Sequence, residues 1–163
     1  MTQGMKTPPP SKRAGQRALR RGRFSEPGRF YHVTTVTRDR VPLFADLFLG
    51  RAVVRCLMQM DRSGACRTLA YVVMPDHLHW LFALETDVSL SRLVQRFKTN
   101  SARLVNAQRG AGGETVWQPG FYDHALRRDE DVLQVARYIV ANPLRAGLVA
   151  SLRGYPLWDA VWV

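Results

Sequence analysis

The sequence predicts a single α+β domain in which an antiparallel sheet packs against helices. Segments rich in β-branched and aromatic residues alternate with segments whose apolar residues recur every three or four positions. Two of the predicted strands are separated only by the turn Pro75-Asp76, which indicates a β-hairpin. The chain has 163 residues, of which 46% are hydrophobic, so it is long enough to bury one core.

The first half of the chain predicts one strand, one helix and the hairpin. Residues 29–37 favour a strand because they are aromatic and β-branched up to a charged turn. Over 43–61 the apolar residues recur with helical spacing, and a Ser-Gly pair ends that helix. Residues 68–74 and 77–83 supply the two strands of the hairpin.

The second half predicts two helices with a short strand between them. Ser89 caps a helix whose apolar face packs inward and whose other face carries arginines. A short strand lies within 116–126. The last helix is predicted over 129–142, with three acidic residues at its positive end and Pro143 as its limit.

The net charge is strongly positive and unevenly distributed. It is +11 for the whole chain, of which residues 1–29 carry +7 and residues 30–163 carry +4. Residues 1–29 are rich in Pro, Ser, Gly, Lys and Arg, which predicts a basic arm ahead of a folded domain over 30–163. Such an excess indicates a polyanionic partner. Nucleic acid is favoured over an anionic membrane because the arm has few large apolar residues.

The composition argues against a membrane-spanning helix, a secretory signal and a cysteine-bound zinc centre. No apolar run approaches the roughly 20 residues of a membrane-spanning helix, and the N-terminus lacks the apolar core of a secretory signal. Cys56 and Cys66 form no CxxC pair, so we expect reduced thiols in a cytoplasmic protein without a zinc centre.

Two histidines in the second hairpin strand are candidate metal ligands. His77 and His79 are two residues apart, so both imidazoles project from one face of the strand while Leu78 points to the other. This geometry suits one metal ion. Taken alone, the pattern is more often structural than functional.

A tyrosine and an asparagine share one face of the last helix. Tyr138 and Asn142 are four residues apart and therefore lie side by side. A tyrosine hydroxyl is a nucleophile for phosphoryl transfer, and an amide oxygen suits Mg²⁺ or Mn²⁺. The alternative is a tyrosine at the rim of the core and an asparagine that caps the helix. Together with the two histidines, the pair indicates a metal-assisted attack on a phosphodiester.

Three motifs in order resemble one known family, the REP-associated tyrosine transposases, which are single-tyrosine HUH endonucleases. They are MPDHLH at 74–79, WQPGFYDHALR at 117–127 and YIVANPLRAGLV at 138–149. The resemblance implies a ferredoxin-like or RRM-like HUH fold and a metal-dependent nuclease that cuts single-stranded DNA at REP hairpins. It implies that His77, His79 and Asn142 hold a divalent metal, Mg or Mn, and that Tyr138 forms a 5′-phosphotyrosine. A homodimer with composite sites is compatible with the resemblance.

Several other residues have competing interpretations. His32 and His124 are more often structural, and Asp76 either orients a metal-bound histidine or simply forms the turn. None of the rival tyrosines is followed four residues later by Asn or Gln: they are Tyr31, Tyr71, Tyr122 and Tyr155. Trp117, Phe121 and Tyr122 either stack on bases or pack in the core.

DNA contacts are predicted on the middle helix and the arm. The helix supplies cationic side chains at Arg92, Arg96, Lys98 and Arg103. Such residues give affinity and salt dependence, although a solvated charged face is an equal alternative for each one.

Three functions remain open from the residues themselves. The first is a single-strand-specific DNA nuclease and strand transferase that acts through Tyr138. The second is a noncatalytic module that binds structured nucleic acid, and the third is a metal phosphodiesterase that uses water.

Overall fold

The computed structural model describes residues 25–162 of the chain. Helices α1 to α4 and strands β1 to β5 have these bounds: β1 Phe30–Val36, α1 Leu47–Arg62, β2 Cys66–Met74, β3 His77–Leu84, α2 Leu90–Gln108, β4 Tyr122–Ala125, α3 Val132–Val140, α4 Asn142–Arg145, and β5 Trp158–Ala160. The predicted α+β class is confirmed. The predicted arm over 1–29 lies outside the described residues except for its last five.

The five strands form one sheet in the order β4-β1-β3-β2-β5, and every neighbouring pair is antiparallel. The hairpin of β2 and β3 is at its centre, as the sequence predicts. β1 pairs with the outer side of β3, and the short strand β4 pairs with β1. The first strand of the chain therefore lies directly beside the strand that carries the two histidines.

Helices cover the two faces of the sheet unequally. On one face α1 and α2 pack over β1, β2 and β3, and this core includes Trp80, Phe82 and Phe97. On the other face α3 packs on β2 through Ile139 and Val140. α3 has nine residues and lies mainly over β2, and Phe30 of β1 reaches the same core.

The structure corrects the end of the last predicted helix. Asp131 caps α3 by accepting hydrogen bonds from the N–H groups of Leu133 and Gln134, which agrees with an acidic start. However, α3 ends at Val140, and a separate short helix, α4, begins at Asn142 with a proline in its first turn. Proline suits the first turn of a helix because its missing N–H is not needed there. Pro143 therefore lies within a second helix and does not end the fold's helical segment.

The strands show one agreement and one difference. The short strand predicted within 116–126 is confirmed as β4, and Trp117 ahead of it makes an isolated bridge with Thr37. The edge strand β5 was not predicted, since three residues are too few to show an alternating pattern.

The last residues of the predicted arm contact the domain. The hydroxyl of Ser25 accepts a hydrogen bond from the N–H of Leu90 at the start of α2, at 2.8 Å. The N–H of Glu26 donates to the hydroxyl of Tyr31, which is fully buried. Residues 25–29 are therefore part of the fold.

Candidate active site

His77 and His79 project from the same face of β3, as the spacing predicts. Their ring centroids are 4.9 Å apart and their planes are almost perpendicular. His79 pairs directly with Val72 of β2, a residue of the core beneath α3, whereas Leu78 belongs to the opposite core. The histidine pair is thus on the face that carries α3.

The tautomer of His77 is set by the turn before it. Its Nδ1 lies 2.6 Å from a carboxylate oxygen of Asp76, which in its ionised form only accepts, so Nδ1–H donates and Nε2 is left without a partner in the described chain. Asp76 also accepts from the guanidinium of Arg40 at 3.1 Å. Partial burial raises the pKa of Asp76, but the bonds to His77 and Arg40 outweigh it and lower that pKa overall. Asp76 therefore orients His77, which is one of the two roles that the sequence allows for this residue.

The turn that presents Arg40 is itself unusual. Asp39 and Arg40 have φ of 53° and 55°, the left-handed region that residues with a Cβ rarely occupy. Such conformations persist where the surrounding structure holds them. Here the N–H of Arg38 donates to Val116 and that of Arg40 donates to Thr37, so both sides of the turn are fixed.

Two side chains of β1 occupy one ring nitrogen of His79. Its Nδ1 lies 3.0 Å from the hydroxyl of Thr34 and 3.1 Å from Nε2 of His32. With both partners on Nδ1, the nitrogen left open is Nε2. Burial first, and then the charges of His32, His77 and Arg145, lower the pKa of His79 to about 3, so it is neutral near pH 7.

The two histidines fit a divalent metal. Each presents an open Nε2, and each other nitrogen already has a partner, as is usual for metal-binding imidazoles. In residues 25–162, however, no three side chains of His, Cys, Asp or Glu converge as ligands for one ion. The remaining ligands are then oxygens from outside that set, such as an amide, water or a substrate phosphate.

All four histidines of the chain lie on this same face. His32 pairs directly with His124 across β1 and β4, and His124 bonds a carboxylate oxygen of Glu130 at 2.8 Å. Burial, and then the charge of His124, lower the pKa of His32 to about 4. His32 supports His79, and His124 supports the loop before α3, which agrees with structural roles for both.

Tyr138 is on the exposed side of α3. Ile139 and Val140 are buried in the second core, whereas the side chain of Tyr138 is 58% exposed. The guanidinium carbon of Arg145 lies 3.8 Å from the centroid of the Tyr138 ring, and its Nη1 donates to the carbonyl of Tyr138 at 2.8 Å. The phenol is accessible, and its ring is held from one side.

Asn142 turns its amide nitrogen toward α3. Nδ2 donates to the carbonyl of Ile139 at 2.8 Å and more weakly to that of Tyr138 at 3.4 Å. Because a carbonyl cannot donate, the amide orientation is fixed, and in the described chain Oδ1 accepts no hydrogen bond. Its oxygen is therefore the free atom, which is what a metal ligand requires.

Three of the four rival tyrosines are unsuitable as nucleophiles. Tyr31 is fully buried. Burial raises the pKa of Tyr71 and of Tyr155 to about 12 in each case, and the Tyr155 hydroxyl donates to the carbonyl of Val73. Tyr122 remains, since it is 56% exposed and lies opposite Thr34 on the histidine face.

The predicted DNA-binding residues are separated from this site. Arg92, Arg96 and Arg103 are exposed, but α2 packs on the opposite face of the sheet. Lys98 is only 8% exposed, and its Nζ donates to the carbonyls of Gln118 and Gly120 at 2.6 and 2.7 Å. The burial of Lys98 does not support the predicted phosphate contact and gives it a structural role.

Two contributors to the site were not identified from the sequence. Thr34 is one, and no pattern in β1 marks it before the register with His79 is known. Arg145 is the other. It is seven residues after Tyr138, a helical spacing, but the helix is interrupted between them.

The fold and the site define a family. Residues 28–142 match the profile described as transposase IS200 like, and the chain therefore belongs to the IS200-like transposase family.

Individual relatives extend that assignment. The chain is 32% identical over 101 residues to the REP-associated tyrosine transposase of Escherichia coli K12, a match that covers 61% of this chain and 58% of that protein. It is 27% identical over 138 residues to a putative REP-associated tyrosine transposase of Haemophilus influenzae, covering 79% and 78%.

Solved structures share the fold. A REP-associated tyrosine transposase bound to a REP hairpin superimposes with a TM-score of 0.66 at 24% identity, covering 83% of this chain and 79% of that one. A putative transposase from Deinococcus radiodurans R1 superimposes with a TM-score of 0.53 at 22% identity, covering 74% of this chain and 95% of that one.

In residues 25–162 no helix is long and apolar enough to cross a bilayer.

Proposed function

We propose that the chain is a metal-dependent single-stranded DNA endonuclease and strand transferase that acts on hairpin DNA through Tyr138. The observation that carries the proposal is the pairing of two imidazoles, each with Nε2 open in the described chain, with an exposed tyrosine on the helix over the same sheet face. Arg145 contacts the Tyr138 ring and donates to the Tyr138 carbonyl, to which Asn142 also donates.

The reaction forms one phosphoester bond and breaks another. The Tyr138 oxygen attacks phosphorus and loses its proton, and the 3′ oxygen of the upstream strand leaves as a hydroxyl. The downstream strand stays attached to Tyr138 as a 5′-phosphotyrosine. A later attack by a 3′ hydroxyl reverses the step and joins strands.

The chain's own groups hold this site in place. His77, His79 and the amide oxygen of Asn142 would hold Mg²⁺ or Mn²⁺, which when bound polarises the scissile phosphate. Asp76 fixes the Nδ1–H tautomer of His77, and Thr34 occupies Nδ1 of His79 and so leaves Nε2 of that ring open for the metal. The buried environment of His79 keeps that ring unprotonated, as a metal ligand must be.

A DNA hairpin with unpaired flanks is the substrate that these features favour. Two relatives are named REP-associated tyrosine transposases, one of them as putative. A REP-associated tyrosine transposase of known structure is bound to a REP hairpin. On this chain Tyr122 is an exposed aromatic ring two strands from His79, where an unpaired base can stack. The arginines of α2 would bind a different part of the DNA around the edge of the sheet.

Localisation and assembly are further parts of the proposal. A DNA substrate and two buried free thiols suit the cytoplasm. A homodimer with composite sites and a monomer that acts once per strand are both compatible with the resemblance, and the oligomeric state stays untested.

The test is the formation of a covalent adduct. Purified protein is incubated with 3′-labelled hairpin DNA and Mn²⁺, and adducts are resolved in SDS. We expect an adduct with wild type and none with Tyr138→Phe, because the phenylalanine ring lacks the attacking oxygen. Tyr122→Phe is the matched control, since it removes the hydroxyl of the other exposed tyrosine on this face.

The outcomes separate the alternatives. An unchanged adduct in Tyr138→Phe would overturn the nucleophile assignment. Cleavage without an adduct would indicate a phosphodiesterase that uses water, and hairpin binding with neither product would indicate a noncatalytic module.

A further inference from the structure

Arg145 is fixed against Tyr138 by two contacts of different kinds. Its guanidinium lies over the aromatic ring at 3.8 Å, a cation–π contact, and Nη1 donates to the Tyr138 carbonyl at 2.8 Å. The residue follows the family match, which ends at 142. A long exposed side chain is therefore held in one place beside the candidate nucleophile.

The charge of Arg145 has no counter-ion within residues 25–162. Six other arginines there lie within 4.0 Å of a carboxylate: Arg29, Arg38, Arg40, Arg67, Arg109 and Arg127. Arg145 makes no such pair, and in the same residues its Nε and Nη2 have no acceptor. An ordered guanidinium with unused donors is prepared to bind a planar or tetrahedral anion.

The guanidinium also shares an acceptor with a candidate metal ligand. Nη1 of Arg145 and Nδ2 of Asn142 both donate to the carbonyl of Tyr138, at 2.8 and 3.4 Å. In the proposed reaction, a phosphorus atom under attack must be within reach of both the tyrosine oxygen and the metal site. A cation that contacts the tyrosine ring and bonds the same carbonyl as Asn142 is therefore well placed for that phosphate.

Within residues 25–162, two other sets of cations are engaged or lie elsewhere. Arg40 is committed to Asp76. The exposed arginines of α2 are on the opposite face of the sheet.

We propose that Arg145 binds a non-bridging oxygen of the scissile phosphate through its free N–H groups while its stacked face holds the Tyr138 ring for attack. This inference rests on the proposed function, of which it names a further catalytic residue. The guanidinium neutralises charge that builds on the phosphate as the tyrosine oxygen adds. It neither gives nor takes a proton, so the bonds formed and broken are those stated above.

The decisive test replaces the charged phosphate with a neutral one. Hairpin DNA carrying a methylphosphonate at the scissile position lacks the negative charge that Arg145 is proposed to neutralise. On ordinary DNA we expect Arg145→Ala to slow adduct formation by about 100-fold, the usual loss of one such donor. On methylphosphonate DNA we expect the rates of adduct formation by wild type and Arg145→Ala to differ by less than about 10-fold, because this substrate lacks the charge that Arg145 would neutralise.

Two controls keep the result interpretable. Arg137→Ala removes an exposed arginine of α3 next to Tyr138 in sequence and should match wild type on both substrates. Arg145→Lys keeps a cation without the planar fork and should be intermediate on ordinary DNA. An equal loss of rate on both substrates would mean that Arg145 only supports the helix junction, and no loss would mean that it does not act; either result overturns the proposal.

Binding measurements separate this inference from the proposed function. In the Tyr138→Phe background no adduct forms, so affinity alone is measured. We expect the methylphosphonate to weaken binding when Arg145 is present and to have no effect in Arg145→Ala. If wild type forms no adduct but this coupling is found, the nuclease proposal fails while the phosphate contact stands. If adducts form and the coupling is absent, only the role of Arg145 fails.

Discussion

Single side chains decide which atoms the candidate metal site presents. Asp76 and Thr34 are each bonded to Nδ1 of one histidine, so both rings leave Nε2 open. Asn142 likewise leaves its oxygen free because its nitrogen is bonded to α3. A metal site of neutral donors results, and the positive charge around it comes from Arg145 and the metal itself.

Burial of two neutral histidines makes folding stability depend on pH. The pKa values of His32 and His79 are lowered to about 4 and about 3, below the 6.5 of the unfolded chain. The unfolded state therefore binds more protons between pH 6.5 and those values, so stability is fully present above about pH 6.5 and falls as the pH drops. In EDTA we expect a loss on the order of 1 kcal/mol or more by pH 5.

Urea unfolding between pH 7.5 and 4.5 checks this expectation. His32→Gln removes one of the two groups and should flatten the pH dependence. A free energy of unfolding that stays constant over this range would contradict the assignment of neutral, buried imidazoles.

Spacing predicted some of these residues and not others, for a physical reason. His77 and His79 share a face because a strand repeats every two residues, and this holds whatever packs nearby. Arg145 reaches Tyr138 only because the chain turns between α3 and α4, so no helical periodicity shows the contact. The contact between Thr34 and His79 depends on the register between β1 and β3, because the two residues are 45 positions apart in the sequence.

Helix α2 and the loop after it show how an element can bury a charge. Lys98 follows the apolar face of α2 inward and bonds the carbonyls of Gln118 and Gly120, next to the residues that lead into β4. The sequence predicted a DNA contact for Lys98, as for the arginines of the same helix. The long lysine side chain instead spans to the loop.

Substitution of Lys98 distinguishes the two roles. Lys98→Met removes both hydrogen bonds while keeping a similar length, so we expect a loss of about 1–3 kcal/mol in unfolding free energy and unchanged DNA affinity per folded molecule. Arg96→Met, on the exposed face of the same helix, should leave stability unchanged. Weaker DNA binding by Lys98→Met at unchanged stability would restore the phosphate contact.

At the scale of the whole molecule, the strands, the hairpin and the helices could be predicted because their patterns are local, while β5 and the split of the last helix depend on packing.

Most of the net positive charge belongs to residues outside the described part of the chain. Residues 1–24 carry +7 and lie outside the described residues, while residues 25–163 carry +4. Ser25 and Glu26 contact the domain, which sets the boundary for removing the arm.

Removal of residues 1–24 should reduce affinity without removing the chemistry. Each lost phosphate contact lowers the slope of log affinity against log salt by about 0.7 to 0.9. We expect the truncated protein to bind hairpin DNA more weakly with a flatter slope, and to form the Tyr138 adduct at high protein concentration. An unchanged slope would assign the arm another role.

The central claim is that Tyr138 becomes covalently attached to DNA, and peptide mass spectrometry tests it most directly. After reaction with hairpin DNA and Mn²⁺, nuclease trimming and trypsin, cleavage after Arg137 and Arg145 releases residues 138–145, a peptide with a single tyrosine at its first position. The account predicts that this peptide carries a 5′-linked nucleotide. The nucleotide on a peptide containing Tyr122, or on no peptide although the DNA is cut, would contradict it.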